Sequence, residues 1–199
     1  MTQVLPANAE GMGRAVALLR ENQVVAYPTE TVYGLAVNPF SGAALDALFS
    51  VKLRDRGKPV LMIIGSQAHL AGLAAPPSER ARKCMEAFWP GPLSLLLPAA
   101  EGLSPLLTGG NAKICVRCPG LGLAREFCDA WGGAITSSSA NLSGAEPART
   151  AAAALIPGVA GVLDGGALGD SMPSTVYDPD GDMVLREGPV TPEMLRRVL

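Results

Sequence analysis

Three short stretches of the chain concentrate side chains that could bind a small polar or phosphorylated ligand. Residues 27–35 read YPTETVYGL and place two threonines, a glutamate and a tyrosine after a short apolar segment. Residues 52–58 read KLRDRGK and hold four of the chain's 16 basic residues. Residues 135–144 read ITSSSANLSG, a run of hydroxyls and an amide after another apolar segment. Arginine and lysine bind phosphates, and hydroxyls at strand ends donate to small polar groups.

Two arginines at apolar segments add to these stretches. Arg117 lies in the segment ICVR, where an arginine needs a partner, and Arg186 ends the segment MVLR. The residues alone leave two interpretations open for 27–35 and for 52–58, a ligand site or an ordinary turn and solvated loop. For 135–144 the hydroxyl run directly at a strand end favours phosphate or ribose binding.

Several known kinds of site are absent from the sequence. There is no GxxxxGK[ST] loop and no GxGxxG after a strand, and the single histidine, His69, has no accompanying GxSxG motif. Cys115 and Cys118 form a CxxC pair within a predicted strand, where residues three apart point to opposite faces. We therefore predict that the four cysteines are buried and reduced and that the chain has no metal site of its own.

Composition bounds the remaining possibilities. The 199 residues are 48% hydrophobic and 17% charged, which excludes disorder and predicts one well-packed domain spanning 1–199. The formal net charge of −2 argues against a protein that binds nucleic acid with its whole surface. No targeting signal or apolar run of membrane-spanning length is present, so we expect a soluble, cytoplasmic protein with no membrane contact.

Helical and extended patterns alternate along the chain and predict an α/β fold. Helices are predicted over 9–22, 41–53, 78–88, 151–156 and 191–199. Strands are predicted over 24–27, 60–64, 93–97, 112–117, 133–136, 159–163, 175–177 and 183–186. Because successive strands follow one another between 93 and 136, we predict one twisted mixed sheet flanked by helices rather than a doubly wound parallel sheet.

Taken together and in order, the motifs resemble the YrdC-like family of threonylcarbamoyl-AMP synthases. The similarity covers nearly the whole chain from about residue 10. The motifs that carry it are PTETVYGL (28–35), KLR (52–54), WPGPLSLLLP (89–98), VR (116–117), SSANLSG (138–144), STVYD (174–178) and LREGP (185–189).

This resemblance implies a fold with a large, concave, positively charged cavity, and a specific activity. Such enzymes make L-threonylcarbamoyl-adenylate and pyrophosphate from L-threonine, bicarbonate and ATP. Mg²⁺ would accompany ATP, held mainly by phosphates and water. Downstream tRNA threonylcarbamoyl-transferase proteins would then use the product.

The resemblance also implies roles for individual residues. Lys52 and Arg54 would contact the triphosphate as the catalytic pair. The remaining nucleotide contacts would be Ser139, Asn141, Ser143 and Arg186. Arg117 would pair with the carboxylate of threonine, and the other threonine-binding residues would be Thr29, Thr31, Ser137 and Ser174.

The chain departs from the family pattern at three places. After KLR it reads DRGKPV where many relatives have proline, Ile63 stands where some have a histidine, and Lys113 stands where some have a small hydroxyl residue. The chain is also too short for the additional C-terminal domain of the long forms.

Two other functions remain as alternatives. One is a non-catalytic module that binds double-stranded RNA, tRNA or the ribosome, for which the net charge predicts only weak, salt-sensitive binding. The other is a carbamoyl-transferring domain of the kind found in hydrogenase-maturation proteins, which usually carry zinc-finger and acylphosphatase regions that this chain has no room for.

Overall fold

The computed structural model describes residues 2–199 and has an α/β architecture. Its helices are α1 (Ala9–Arg20), α2 (Gly42–Lys52), α3 (Glu79–Phe88), α4 (Pro105–Thr108), α5 (Gly122–Trp131) and α6 (Pro192–Val198). Its strands are β1 (Gln3–Pro6), β2 (Val24–Pro28), β3 (Tyr33–Ala36), β4 (Leu61–Ile63), β5 (Leu93–Pro98), β6 (Lys113–Arg117), β7 (Ile135–Thr136), β8 (Ser138–Ser139), β9 (Val159–Asp164), β10 (Thr175–Asp178) and β11 (Met183–Arg186).

The strands form two mixed sheets. Sheet A has the order β1-β9-β2-β3-β8, and sheet B has the order β11-β10-β5-β6-β4-β7. Both sheets combine parallel and antiparallel pairs, for example β2 parallel to β9 and antiparallel to β3. The predicted α/β class with mixed pairing is therefore confirmed, but the prediction of one sheet is wrong.

The two sheets meet where β7 ends and β8 begins. Thr136 belongs to sheet B, yet its hydroxyl accepts from the Val37 amide (2.9 Å) and donates to the Leu35 carbonyl (3.1 Å), both at the end of β3 in sheet A. One residue later, Ser137 donates its amide to the Leu61 carbonyl of β4 (2.7 Å). The polar segment that follows Ile135 thus passes from one sheet to the other.

Most predicted helices begin where a side chain can cap them. Asn8, Ser41, Ser78 and Thr191 each accept a hydrogen bond from an amide in the first turn of α1, α2, α3 and α6. The predicted helix over 151–156 is wrong, because that segment forms only turns. Pro157 follows the segment directly, disfavours helical backbone at Ile156 and has no amide to donate, so the turn does not extend into a helix.

The packing is continuous across both sheets. Apolar residues of α2, α3 and the strands of both sheets form the larger core cluster. A second cluster lies beneath α1 and α5, where the rings of Tyr27 and Phe127 meet edge to face at 5.5 Å. Within residues 2–199, no helix is both long and apolar enough to cross a membrane.

Candidate functional site

A cavity of about 720 Å³ lies against one face of sheet B. Side chains alternate between faces along a strand, so residues two apart share a face. On three neighbouring strands of sheet B the lining residues follow this alternation: Ser94 and Leu96 of β5; Lys113, Cys115 and Arg117 of β6; Ser174, just before β10, and Val176.

The opposite wall comes from sheet A and its connections. The turn between β2 and β3 contributes Thr29, Thr31 and Val32, and the segment that joins the sheets contributes Ser137, Ser138 and Ser139. These are the polar stretches 27–35 and 135–144 singled out in the sequence. The structure therefore places both of them on one cavity, facing the sheet that carries Arg117.

The cavity lining is basic. Arg54, Lys113, Arg117 and Arg186 line it, and no aspartate or glutamate of residues 2–199 does so. Positive groups on a partly enclosed wall attract anions more strongly than the same groups on an open surface, because less water screens them. A net charge of −2 for the chain coexists with a locally positive cavity.

Arg117 is the most deeply buried of these cations, at 3% exposure. Its Nη2 lies 2.7 Å from Glu30 Oε2, an ionic contact that lacks hydrogen-bond geometry. Glu30 is itself fixed, because its Oε1 accepts from the Gly120 amide at 2.8 Å. The Nε of Arg117 has no hydrogen-bond partner in the described part of the chain, and its Nη1 makes only a 3.5 Å contact with Thr31 Oγ1. Arg117 thus keeps donors available for an incoming anion.

The threonine hydroxyls beside Arg117 are held by a compact turn. Thr29 Oγ1 donates to the Val32 carbonyl at 2.7 Å, and it lies 3.0 Å from Thr31 Oγ1. Both side chains are buried. Because the turn bonds to itself, these hydroxyls are fixed beside the guanidinium rather than free in solvent.

Arg186 and Ser174 form a second polar group on the cavity. Arg186 donates from Nε to the Ser174 carbonyl (2.9 Å) and from Nη2 to Ser174 Oγ (3.0 Å). Ser174 Oγ is also 2.9 Å from Ser94 Oγ, across the parallel pair β10 and β5. The arginine that ends β11 is thereby tied to the serine that precedes β10.

Lys52 lies behind the cavity wall rather than on it. It is 2% exposed, and its Nζ donates to Ser139 and Asn141 through both backbone and side-chain oxygens, with the Asn141 Oδ1 bond at 2.9 Å. Burial, with the positive charge of Arg54, lowers the pKa of Lys52 to about 8. The ammonium group therefore holds the hydroxyl segment that forms the wall in front of it.

The backbone of Lys52 binds the same segment. Its carbonyl accepts from the Ser143 hydroxyl (2.9 Å) and amide (3.1 Å), which satisfies a carbonyl at the end of α2. Helix α2 ends immediately afterwards at Leu53, which adopts a left-handed conformation (φ 50°). This reversal sends Arg54 to the cavity, where its Nη2 donates to the Pro59 carbonyl at 2.9 Å.

The predicted site residues thus fall into two groups. Lys52, Asn141 and Ser143 form the bonded layer behind the wall. The others line the cavity: Thr29, Thr31, Arg54, Arg117, Ser137, Ser139, Ser174 and Arg186.

Glu30 and Lys113 were not among the predicted site residues. Both had a signal in the sequence: Glu30 is the one acid in 27–35, and Lys113 stands four residues before Arg117 on the predicted strand 112–117, where residues an even number apart share a face.

Within residues 2–199 the structure shows neither a nucleophilic cysteine nor a metal cluster. All four cysteines are buried and none forms a disulfide within residues 2–199, and burial raises the pKa of Cys115, the one that lines the cavity, to about 12. Its thiol therefore stays protonated near neutral pH and is a poor nucleophile. Residues 2–199 contain no group of three histidine, cysteine, aspartate or glutamate side chains that could hold a metal ion.

Comparison with known proteins identifies the family. The model of the Sua5/YciO/YrdC family, described as telomere recombination, matches residues 17–188. The chain belongs to this family. Threonylcarbamoyl-AMP synthase of Bacillus subtilis (strain 168) is 38% identical over the whole of this chain, and that of Chromohalobacter salexigens is 39% identical over 89% of it.

A solved structure of the Sua5/YciO/YrdC family supports the fold directly. The crystal structure of P. abyssi Sua5 complexed with L-threonine superposes with a TM-score of 0.92 at 30% identity and covers 100% of this chain. The chain spans 61% of that protein and 59% of the B. subtilis relative, but 97% of the C. salexigens relative. The predicted family and fold class are confirmed, and the names of these relatives favour the catalytic interpretation over a non-catalytic RNA-binding module.

Proposed function

We propose that this protein synthesises L-threonylcarbamoyl-adenylate from L-threonine, bicarbonate and ATP, with release of pyrophosphate. The observation that carries the proposal is the buried guanidinium of Arg117, which has spare donors and faces a cavity ringed by basic and hydroxyl side chains. A small carboxylate and a polyphosphate are the ligands that such a lining suits. The B. subtilis and C. salexigens relatives carry the name of this activity, and the P. abyssi relative was crystallised with L-threonine.

The reaction needs charged reactants held together more than it needs a protein nucleophile. The amine of threonine attacks the carbon of bicarbonate, water leaves, and a carbamate forms. A carbamate oxygen then attacks the α-phosphorus of ATP, and the bond to the departing pyrophosphate breaks. Fixed donors around the cavity would neutralise the charge that moves onto pyrophosphate, and fixed positions would replace a bimolecular encounter.

The residues divide between the two substrates. Arg117 would bind the carboxylate of threonine, with Thr29, Thr31, Ser137 and Ser174 around the rest of the amino acid. Arg54 and Lys52 would act on the triphosphate, Arg54 by contact and Lys52 through the segment it holds. Of the other nucleotide-binding residues, Ser139 and Arg186 would contact the nucleotide from the cavity lining, and Asn141 and Ser143 would act, like Lys52, through the segment that forms the wall.

Magnesium would enter with ATP as part of the substrate. Among the described residues, none that lines the cavity offers a carboxylate to the ion, and Mg²⁺ commonly keeps several waters and binds through substrate phosphates. The labile product would pass to a tRNA threonylcarbamoyl-transferase partner in the cytoplasm.

The test is an assay of purified protein with ATP, Mg²⁺, bicarbonate and labelled threonine. We expect pyrophosphate release that depends on both threonine and bicarbonate, and a labelled adenylate. A protein that binds tRNA or double-stranded RNA but releases no pyrophosphate under these conditions would overturn the proposal in favour of the RNA-binding alternative. Carbamoyl transfer without threonine would favour the alternative of a carbamoyl-transferring domain.

A further inference from the structure

A segment without helix or strand connects the two sheets beside the cavity. It comprises residues 165–174 and runs from the end of β9 in sheet A to the start of β10 in sheet B, and we call it the crossover segment. Its last two residues, Pro173 and Ser174, line the cavity. Most of the segment is exposed to solvent. Because ordering such a loop costs conformational entropy, its position depends on individual hydrogen bonds rather than on burial.

The side chain and backbone of Arg149 both bind the middle of the crossover segment. Its Nη1 donates to the Gly169 carbonyl (2.6 Å), and its Nη2 donates to the Ser171 carbonyl (3.2 Å). The backbone carbonyl of Arg149 accepts from the Leu168 amide at 2.8 Å. A guanidinium presents several donors in fixed directions, so one arginine can hold carbonyls from different parts of a loop.

The same guanidinium reaches the turn between β2 and β3. Its Nη1 also donates to the Thr31 carbonyl, at 3.4 Å. Ser171 of the crossover segment makes a parallel connection, because its Oγ donates to the Glu30 carbonyl (3.0 Å) and lies 3.3 Å from the Thr31 carbonyl oxygen. Arg149 and Ser171 therefore join the crossover segment to the turn that carries the Thr31 hydroxyl.

The start of the crossover segment is held separately. Tyr33 Oη donates to the Gly166 carbonyl (2.8 Å) and accepts from the Gly165 amide (3.2 Å). The amide of Tyr33 in turn donates to the carbonyl of Ala148, the residue before Arg149, at 2.9 Å. Tyr33 thus fixes residues 165 and 166, whereas the position of residues 168–171 depends on Arg149 and Ser171.

We propose that Arg149 is a positioning residue for the threonine end of the cavity, which acts through the crossover segment. By joining this segment to the β2–β3 turn, Arg149 sets Thr31 on one wall relative to Ser174 on the other. The inference rests on the proposed function for the identity of the ligand, and it extends that function to a residue outside the cavity lining. The alternative is a purely structural role, in which the bonds of Arg149 only stabilise the fold.

The variant Arg149→Met separates these two roles, because it removes the donors and keeps a long side chain. If Arg149 positions the threonine end, the variant should bind L-threonine about 10-fold more weakly than the wild type in calorimetry. The loss for a non-hydrolysable MgATP analogue should be much smaller, because Arg54 is bound to Pro59, on another part of the chain. A lower free energy of unfolding with both affinities unchanged, or with equal losses for both ligands, would overturn the proposal.

Two further variants control the test. Asp170 lies 3.0 Å from the Arg149 guanidinium, but its side chain is fully exposed. An exposed ion pair contributes little, so Asp170→Asn should match the wild type in both affinities. Ser171→Ala removes the other side-chain bonds to the turn and should weaken threonine binding by about two- to fivefold. If Arg149→Met did not fold, a Ser171→Ala protein with wild-type affinity for threonine would overturn the proposal.

The inference and the proposed function can fail separately, because threonine binding is measured without turnover. A wild type that makes the adenylate, with a threonine affinity that does not depend on Arg149, would overturn the inference alone. A wild type that makes no adenylate but binds threonine in a manner that depends on Arg149 would contradict the proposed function alone. A wild type that binds no threonine would overturn both.

Discussion

At the scale of single residues, the site depends on cations that are only partly satisfied by the protein. Arg117 is buried, yet its contact with Glu30 leaves donors without acceptors in the described part of the chain. A buried, incompletely paired charge is costly to the folded state. Binding a substrate carboxylate would supply the missing acceptors, so part of the affinity for threonine would come from relieving that cost.

Lys52 provides a prediction about pH. Its pKa is lowered to about 8 by burial and by the neighbouring Arg54, so the ammonium loses its proton as the pH rises through about 8. The protonated form is the one that donates to Ser139 and Asn141 and so holds the cavity wall in place, and the affinity for ATP should therefore fall above this pH, by up to about tenfold per pH unit. Calorimetry with a non-hydrolysable MgATP analogue and no threonine, from pH 7 to 9.5, measures this dependence.

Lys52→Met serves as the comparison for this pH dependence. The variant should bind the analogue weakly already at pH 7, and its affinity should change much less with pH than that of the wild type. If the variant lost affinity above pH 8 as steeply as the wild type, another group would be responsible for the titration.

At the scale of elements, Gly188 lets the segment after β11 pack closely against the backbone at the start of β10. A Cβ on this residue would lie 2.4 Å from both the Pro173 carbonyl oxygen and the Thr175 amide nitrogen, which are backbone atoms. Gly188→Ala should therefore push the 173–175 segment away and disturb Ser174 and its bonds to Arg186. We expect a loss of about 1–3 kcal/mol in the free energy of unfolding, as for other overpacked sites, and a raised KM for threonine.

A matched glycine substitution controls for the loss of glycine itself. Gly13 lies within α1, and a Cβ there would meet nothing within 4 Å. Gly13→Ala should stabilise the protein by up to about 1 kcal/mol, because alanine favours the helix, and leave the kinetics unchanged. Denaturant unfolding and steady-state assays of both variants decide the matter. A Gly188→Ala protein with the stability and KM of the wild type would show that the close approach does not position Ser174.

The helices and strands differ in how well the sequence predicted them. Helices with a polar cap, such as α1, α2 and α3, were predicted because the cap and the apolar spacing agree. Helix α5 was missed because it begins at Gly122 without a side-chain cap. Strand β3 was missed because its four residues lie inside the polar motif that also suggested a binding loop.

In the site, the residue types could be recognised from the sequence, whereas the placement of some of them could not. Hydroxyls and basic residues at strand ends could be recognised from the sequence, and most of them do line one cavity. That Lys52 lies behind the wall and Lys113 on it depends on burial and on which face of a strand points inward. The place of Lys52 comes from the contacts of the end of α2 with residues 139–143, and that of Lys113 from which face of β6 the rest of the fold leaves open. Short-range patterns contain neither fact.

At the scale of the whole molecule, the cavity has one wall from each sheet. Sheet B supplies Lys113 and Arg117, and sheet A supplies the β2–β3 turn together with Ser139 of β8. Two ligands bound between these walls would bridge the sheets. The ligands would then stabilise the molecule as one unit, although each contact is local.

The bridging leads to a last prediction. With threonine and a non-hydrolysable MgATP analogue each near 100 times its dissociation constant, each ligand should add up to about 2.7 kcal/mol to the free energy of unfolding. Amide hydrogen exchange should slow in elements of both sheets, in β3 and β8 of sheet A and in β10 and β11 of sheet B, because both lie against the ligands. Exchange monitored by mass spectrometry with and without ligands measures this. Protection confined to one sheet would mean that the ligands bind along a single wall, and the prediction that they bridge the two sheets would then be wrong.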